Sequence, residues 1–189
     1  SKHKKNFIHV FLQEAEKLYE SGAFNKALTL PLNSFEDSRL ENLTKDAVSK
    51  GAIIYPSHKI KQAITVIIGC TDEMKIMKEE IFGYLLPVLF MESTSEAINY
   101  INSQETPLAL YLFTRDSQEE KKWLMHSKSG GVTINDCVLH VVQDNLPFGG
   151  MGKSGYGHYH GEWGFNNFSK QKPIFSQSKY SLVRFFLPP

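Results

Sequence analysis

Between residues 85 and 135 the chain alternates between two periodicities, and this alternation restricts its fold more than any other feature. The runs 85–91, 108–113 and 131–135 are short and apolar and read as strands. Between them, 95–104 places Ala97, Ile98 and Ile101 at helical spacing, with Thr94 as cap. The segment 118–128 sets Trp123, Leu124 and the stem of Lys128 on one side. Strand–helix–strand–helix–strand in pieces of these lengths is the pattern of βαβ crossovers. It predicts an α/β fold with a largely parallel sheet and flanking helices. Functional loops are then expected at the C-terminal ends of the strands.

Upstream, Phe7, Ile8, Phe11, Leu12, Ala15, Leu18 and Tyr19 mark an amphipathic helix ending near Ser21-Gly22. A second helix is predicted over 35–50, with Ser34 as N-cap, Asp37 in its first turn and Gly51 as C-cap. Its apolar face carries Leu40, Leu43, Ala47 and Val48. Residues 52–55 read as a short strand stopped by Pro56, and 63–70 as a buried one. Downstream the texture changes. Seven glycines from Gly149 to Gly164 fall within sixteen residues, among Phe148, Tyr156, Tyr159 and Trp163. Such composition predicts a shaped functional loop rather than a helix or simple strand. Residues 169–189 read as a strand with an extended tail.

Charge and composition narrow the function. Twenty-one Lys and Arg against 20 Asp and Glu leave a net charge of +1, against a nucleic-acid binder held by bulk charge. Two cysteines form no disulfide framework and favour a reducing compartment, intracellular and on the cytoplasmic side. No run approaches the roughly 18 apolar residues of a membrane span, and the N-terminus lacks the apolar core of a signal peptide. With no initiating Met and an abrupt end at Pro189, the chain is expected to be a piece of something longer.

Several residues offer chemistry. Gly152-Lys153-Ser154 ends like a phosphate-binding P-loop, but the first glycine of that motif falls on Pro147 and no helix-forming sequence follows. His158 and His160 flank Tyr159 with His140 upstream, yet nothing completes a recognisable metal site. Hydrogen-bonded or surface histidines are the expectation, and His140 retains the chemistry of a general acid or base. Cys70 ends a buried strand and reads as packing. Cys137 stands at a strand end without a sequence signal that lowers its pKa, so it too is expected to be structural. Glu79-Glu80-Ile81-Phe82-Gly83 reads either as a solvated charged turn or as a carboxylate held for sugar hydroxyls beside an aromatic that packs on a flat ring.

Five segments, taken in order, carry a resemblance. They are Glu79 to Gly83, Pro107-Leu108-Ala109-Leu110-Tyr111-Leu112-Phe113, Ser129-Gly130-Gly131-Val132 with Asn135-Asp136, Leu146-Pro147-Phe148-Gly149-Gly150-Met151-Gly152-Lys153-Ser154-Gly155, and Tyr159-His160-Gly161. Together they resemble the C-terminal part of an aldehyde dehydrogenase of the class-3 branch, which includes the fatty aldehyde dehydrogenases. The separation of 68 positions from Glu80 to Phe148 fits that branch. One departure is Tyr84, where the family has a proline, so the loop shape there is expected to differ.

The resemblance implies NAD(P)-dependent oxidation of apolar or fatty aldehydes to carboxylic acids by a homodimer. It assigns 1–171 to part of the catalytic domain and 172–189 to an oligomerisation strand and tail. The nucleophilic cysteine, the general-base glutamate and the cofactor domain would lie upstream of Ser1, leaving the isolated chain inactive. Glu80 matches the glutamate that holds the nicotinamide ribose, with Phe82 beside it against NAD or NADP. Phe148 matches the aromatic beside the aldehyde pocket, with Gly149-Gly150 as its flexible support, and Asn135 and His160 match further pocket positions. The alternative is a non-catalytic domain whose strand 172–184 joins a partner's sheet.

Overall fold

A computed structural model describes residues 2–18, 34–56, 64–177, 179–180 and 185–186. The proposed stop at Tyr19 to Gly22 and the start of the 63–70 strand at Ala63 lie outside the described residues, as does part of the 172–189 tail. The chain divides into two compact units, Ser1–Met91 and Glu92–Pro189.

The first unit is organised by its second helix. Helix α1 spans Lys2–Leu18 and α2 spans Ser34–Ser49. In α2 the residues Leu40, Leu43 and Ala47 are fully buried, three and four apart, so one face of the helix enters the core. Thr44 joins that face by donating its hydroxyl to the Leu40 carbonyl at 2.9 Å. Val48, expected inward, is exposed. Gly51 ends the helix with φ +97, and the N–H groups of Gly51 and Ala52 return to Val48 and Ala47. That is the Schellman arrangement, in which a left-handed residue without Cβ costs least. Acidic Glu36 and Asp37 occupy the first turn, the favourable end for negative charge.

Strands β1 (Ile53–Tyr55), β2 (Thr65–Ile68) and β3 (Leu85–Val88) form one sheet in that order. Strand β1 is antiparallel to β2, and β2 is parallel to β3 with Thr65 opposite Leu85. Val66 and Ile67 of the central strand point to opposite faces and both are fully buried. Pro87, which has no N–H to donate, lies on the edge strand. Leu40, Leu43, Ala47, Ile67, Met74, Ile76 and Leu85 make one core cluster. Each fully buried aliphatic side chain contributes roughly 1.5–3 kcal/mol of transfer free energy. Asp46 Oδ2 accepts the Lys75 backbone N–H at 2.8 Å and fastens α2 to a short 3-10 turn. The Lys50 ammonium and this N–H hold its carboxyl below the usual range.

The second unit contains α3 (Thr94–Ser103), β4 (Ala109–Leu112), α4 (Ser117–His126), β5 (Gly131–Ile134) and α5 (Gly161–Asn167). Strands β4 and β5 pair in parallel, Ala109 opposite Gly131, around α4. This is the βαβ unit that the alternation predicts. Among the described residues the largely parallel sheet is thus two smaller sheets, one in each unit. Helix α3 is capped by Ser93 rather than Thr94: its hydroxyl accepts the Glu96 N–H at 3.2 Å. Asp116 caps α4 by accepting from Gln118 and Glu119. The Asn102 side chain ties the two helices, donating to the His126 carbonyl and accepting from the Lys128 N–H. Within α4, Trp123 is half-buried but Leu124 is exposed, and Lys128 lies past the helix end.

Two expectations for the C-terminal region are corrected. The glycine-rich stretch is a loop over most of its length but includes α5, whose Gly164 N–H bonds the His160 carbonyl. The described residues of 169–177 form no strand. A strand needs a partner for its backbone groups, and Ile174 and Phe175 stand 83% and 87% exposed.

Candidate functional site

Consider first the Glu80 loop in the unit 1–91. Its backbone is gripped from α2. The Arg39 guanidinium donates from Nη1 to the Glu80 carbonyl at 2.9 Å and from Nη2 to the Ile81 carbonyl at 2.7 Å. Its Nε is turned toward Glu36 Oε2 at 2.9 Å. The next residue of the helix, Leu40, lies against Gly83 so closely that a Cβ there would sit 2.5 Å from Leu40 Cδ1. The Tyr84 hydroxyl donates to Asp37 Oδ1 at 3.1 Å. Burial first, then Asp37, push the Tyr84 phenol up to about 12. The departure from the family's proline therefore adds an anchor that proline does not have.

This grip presents two unusual groups. Among the described residues the Glu80 carboxylate has no hydrogen-bond partner, and it is exposed while its own carbonyl is held. Phe82 is 85% exposed and adopts φ +42. A bulky residue in the left-handed region is strained, and a bare aromatic ring gains nothing from water. Strain of this kind persists where the surroundings over-determine it, and it clusters at ligand sites.

Phe148 belongs to the unit 92–189. It exchanges both backbone hydrogen bonds with Tyr159, so the two ends of the glycine loop are pinned together. Its ring meets Tyr159 edge-on with centroids 5.4 Å apart, stacks on His160 at 6.1 Å and leans on His140 at 5.7 Å. The glycines beneath it are points of close backbone approach. A Cβ on Gly149 would fall 2.0 Å from the Gly157 carbonyl oxygen, and one on Gly150 would fall 2.0 Å from that of Ser154. They allow backbone to pack on backbone, which makes the loop tight.

His140 is 7% exposed. Its Nδ1 lies 2.8 Å from Thr133 Oγ1, and Gly131 leaves room for its ring, since a Cβ there would meet His140 Cδ2 at 2.7 Å. The imidazole is a buried prop between β5 and Phe148. Its Nε2 and the Nδ1 of His160 are buried without a partner among the described residues. Asn135, with φ +56, spends its side-chain oxygen on the Thr114 N–H at 2.9 Å, joining the ends of β4 and β5. His158 packs against Trp163. Among the described residues no three His, Cys, Asp or Glu side chains gather to hold a metal. Cys70 is buried, which raises its thiol pKa. Cys137 is exposed rather than packed, because the turn after β5 carries it outward.

Sequence reasoning singled out Glu80, Phe82 and Phe148 as candidates but not Arg39, Leu40 and Asp37, which seat the Glu80 loop, nor His140 as a prop for Phe148. Gly83 and Gly131 were the available signals, since each marks a place where a side chain presses close.

The aldehyde dehydrogenase family model matches residues 1–174. The chain belongs to the aldehyde dehydrogenase family. A probable coniferyl aldehyde dehydrogenase of Pseudomonas aeruginosa is 38% identical over 100% of this chain and 40% of its own length. Mouse aldehyde dehydrogenase family 3 member A2 is 41% identical over 66% of this chain and 29% of its own. Among solved structures, the substrate-bound state of Staphylococcus aureus AldH superposes with a TM-score of 0.81 at 32% identity, covering 100% of this chain and 42% of that one. The fold is thus part of an aldehyde dehydrogenase, and the chain spans about 40% of the length of the curated relatives it matches.

Proposed function

We propose that this chain forms part of an NAD(P)-dependent aldehyde dehydrogenase that oxidises apolar or fatty aldehydes to carboxylic acids. The observation that carries the reading is the Glu80 loop: a carboxylate without a hydrogen-bond partner among the described residues, beside an exposed and strained Phe82, on a backbone that α2 holds rigid. Two acceptor oxygens suit the paired hydroxyls of a ribose, and a bare phenyl face suits a flat heterocycle. An NAD+ complex of a Staphylococcus aureus betaine aldehyde dehydrogenase variant, 25% identical with a TM-score of 0.78 over 100% of this chain and 40% of that one, supports a dinucleotide as the ligand.

In this reading Glu80 accepts hydrogen bonds from the ribose and Phe82 packs against the cofactor. Phe148 walls the aldehyde, with Gly149, Asn135 and His160 shaping that wall. NAD or NADP, when bound, supplies the acceptor for the hydride that leaves the substrate. A preceding segment supplies the nucleophilic cysteine and the general base. Residues 1–171 belong to the catalytic domain and 172–189 to the oligomerisation tail of a homodimer on the cytoplasmic side. The isolated chain is then inactive, since neither of its thiols has an activating neighbour among the described residues.

The test uses the intact enzyme that contains this segment. Glu80→Gln removes charge assistance worth about 1.5–3 kcal/mol, so the KM for the cofactor rises at least about tenfold while that for the aldehyde holds. The specificity constant climbs from propanal to decanal by up to about 0.8 kcal/mol per buried CH₂. An unchanged cofactor KM removes Glu80 from the site, and a flat series removes the apolar pocket. Exposed Phe165, Phe168, Ile174 and Phe175 favour a second reading, a domain acting only by association. An intact parent enzyme with no aldehyde oxidation would select it.

A further inference from the structure

We infer that Arg39 is a positioning residue for the cofactor site, acting through the backbone of Glu80. The inference rests on the reading of Glu80 as the ribose ligand. Its own support is the geometry of the grip. A guanidinium is a planar fork, and here two arms of that fork reach the carbonyls of two successive peptide units, those of Glu80 and Ile81, at 2.9 and 2.7 Å. Two bonds to consecutive carbonyls hold both peptide planes, and with them the backbone angles at Ile81 between them. The first of these planes leads directly from the Cα of Glu80. Its orientation therefore helps set where the carboxylate can reach.

Arg39 is itself prevented from swinging. Its Nε bonds Glu36 one turn earlier on the same helix at 2.9 Å, and both side chains are about a third exposed or less. The helix that carries the pair is anchored by Leu40 and Leu43 in the core. A chain of rigid contacts thus runs from the core through α2 and Arg39 to the peptide beyond Glu80. Lysine cannot reproduce it, because an ammonium is a point donor without the fixed fork. Nothing else among the described residues bonds these two carbonyls. Without Arg39 the loop keeps the packing of Ile81 on the core, the contact of Gly83 with Leu40 and the Tyr84 anchor, none of which bonds these two carbonyls.

The experiment compares wild type, Arg39→Ala, Arg39→Lys, Glu80→Gln and the double variant Arg39→Ala/Glu80→Gln in the intact enzyme. Cofactor and aldehyde are varied separately, and thermal unfolding is followed in parallel. Misplacement of a binding group by a fraction of an ångström predicts a cofactor KM raised by roughly tenfold in Arg39→Ala, with the aldehyde KM within about twofold of wild type. Arg39→Lys should recover only part of the loss. If Arg39 acts through Glu80, the double variant is little worse than Glu80→Gln alone, because two residues serving one contact are not additive. Additive losses would overturn the inference, as would an Arg39→Ala enzyme that is less stable but has an unchanged cofactor KM. Where Glu80→Gln raises the cofactor KM and Arg39→Ala does not, only the role of Arg39 fails. Where Glu80→Gln itself has no effect, the ribose assignment fails and takes the role of Arg39 with it.

Discussion

Adding one methyl group at Gly83 tests whether α2 truly seats the loop. Gly83 does not occupy the left-handed region, so alanine meets no backbone penalty there. Its Cβ would stand 2.5 Å from Leu40 Cδ1 and 2.8 Å from Cδ2, well inside van der Waals contact. Leu40 has no room to retreat, being fully buried among Leu43, Ile67, Met74 and Leu85. Either the leucine leaves its rotamer or the loop lifts, and overpacking of this kind costs about 1–3 kcal/mol. At roughly 2–4 °C per kcal/mol for a chain of this size, about 2 kcal/mol lowers the midpoint by roughly 4–8 °C. Leu40→Ala alone should cost about 2–5 kcal/mol by opening a cavity. Combined, the new methyl enters the space the leucine leaves, so the double variant should be more stable than the sum of the singles by at least about 1 kcal/mol. Urea titrations followed by far-UV circular dichroism measure all four corners of the cycle. A Gly83→Ala chain within about 0.5 kcal/mol of wild type, or strictly additive energies, would show that loop and helix are not in the contact described.

Two further outcomes concern titrating groups. In the native chain Cys137 should react with a thiol reagent much faster than Cys70, since one is exposed and the other buried with a raised pKa. Denaturant should equalise them, and equal native rates would refute the burial of Cys70. The Tyr84 phenol, raised to about 12, stays protonated in the fold where an unfolded tyrosine ionises near 10. The unfolded state therefore binds fewer protons between those values, so this group's contribution is complete below about pH 10 and is lost as pH rises toward 12. Urea midpoints measured from pH 9 to 11.5 should fall more steeply for wild type than for Tyr84→Phe, and parallel slopes would count against the buried bond to Asp37.

Elements set by near neighbours in sequence were legible, and pairings between distant ones were not. Helix α2 and its end at Gly51 follow from a periodic face and one glycine. The cap of α3 is displaced by a single residue, because Ser93 and Thr94 carry the same hydroxyl and only the backbone decides which stands outside the helix. Which strands pair is another matter. Runs 85–91 and 108–113 are equally apolar, and no local rule states that β3 joins β2 while β4 joins β5. Pro87 is the exception, since a residue without an N–H already argues for an edge. Helix α5 was concealed by its composition. Gly161 and Gly164 each cost about 1 kcal/mol of helix propensity, which hides a helix of only seven residues.

The same division runs through the candidate site. Glu80, Phe82 and Phe148 are the groups the proposed function assigns to ligand contact, and their chemistry is written in the side chains themselves. The residues that hold them work mainly on backbone and by shape. Arg39 donates to two carbonyls that every sequence possesses, and Leu40 presses on a position where a side chain is missing. His140 is a prop because Gly131 is small, although as a sequence feature it suggested acid–base chemistry. Support of this kind leaves its trace as an absence at the other end of the contact: a glycine with no room for Cβ, opposite a residue in no fixed sequence register. Gly83 paired with Leu40 and Gly131 paired with His140 are two instances in one chain. A glycine outside the left-handed region, in a segment that also carries an exposed carboxylate or aromatic, therefore points to a buried partner that holds the segment in place.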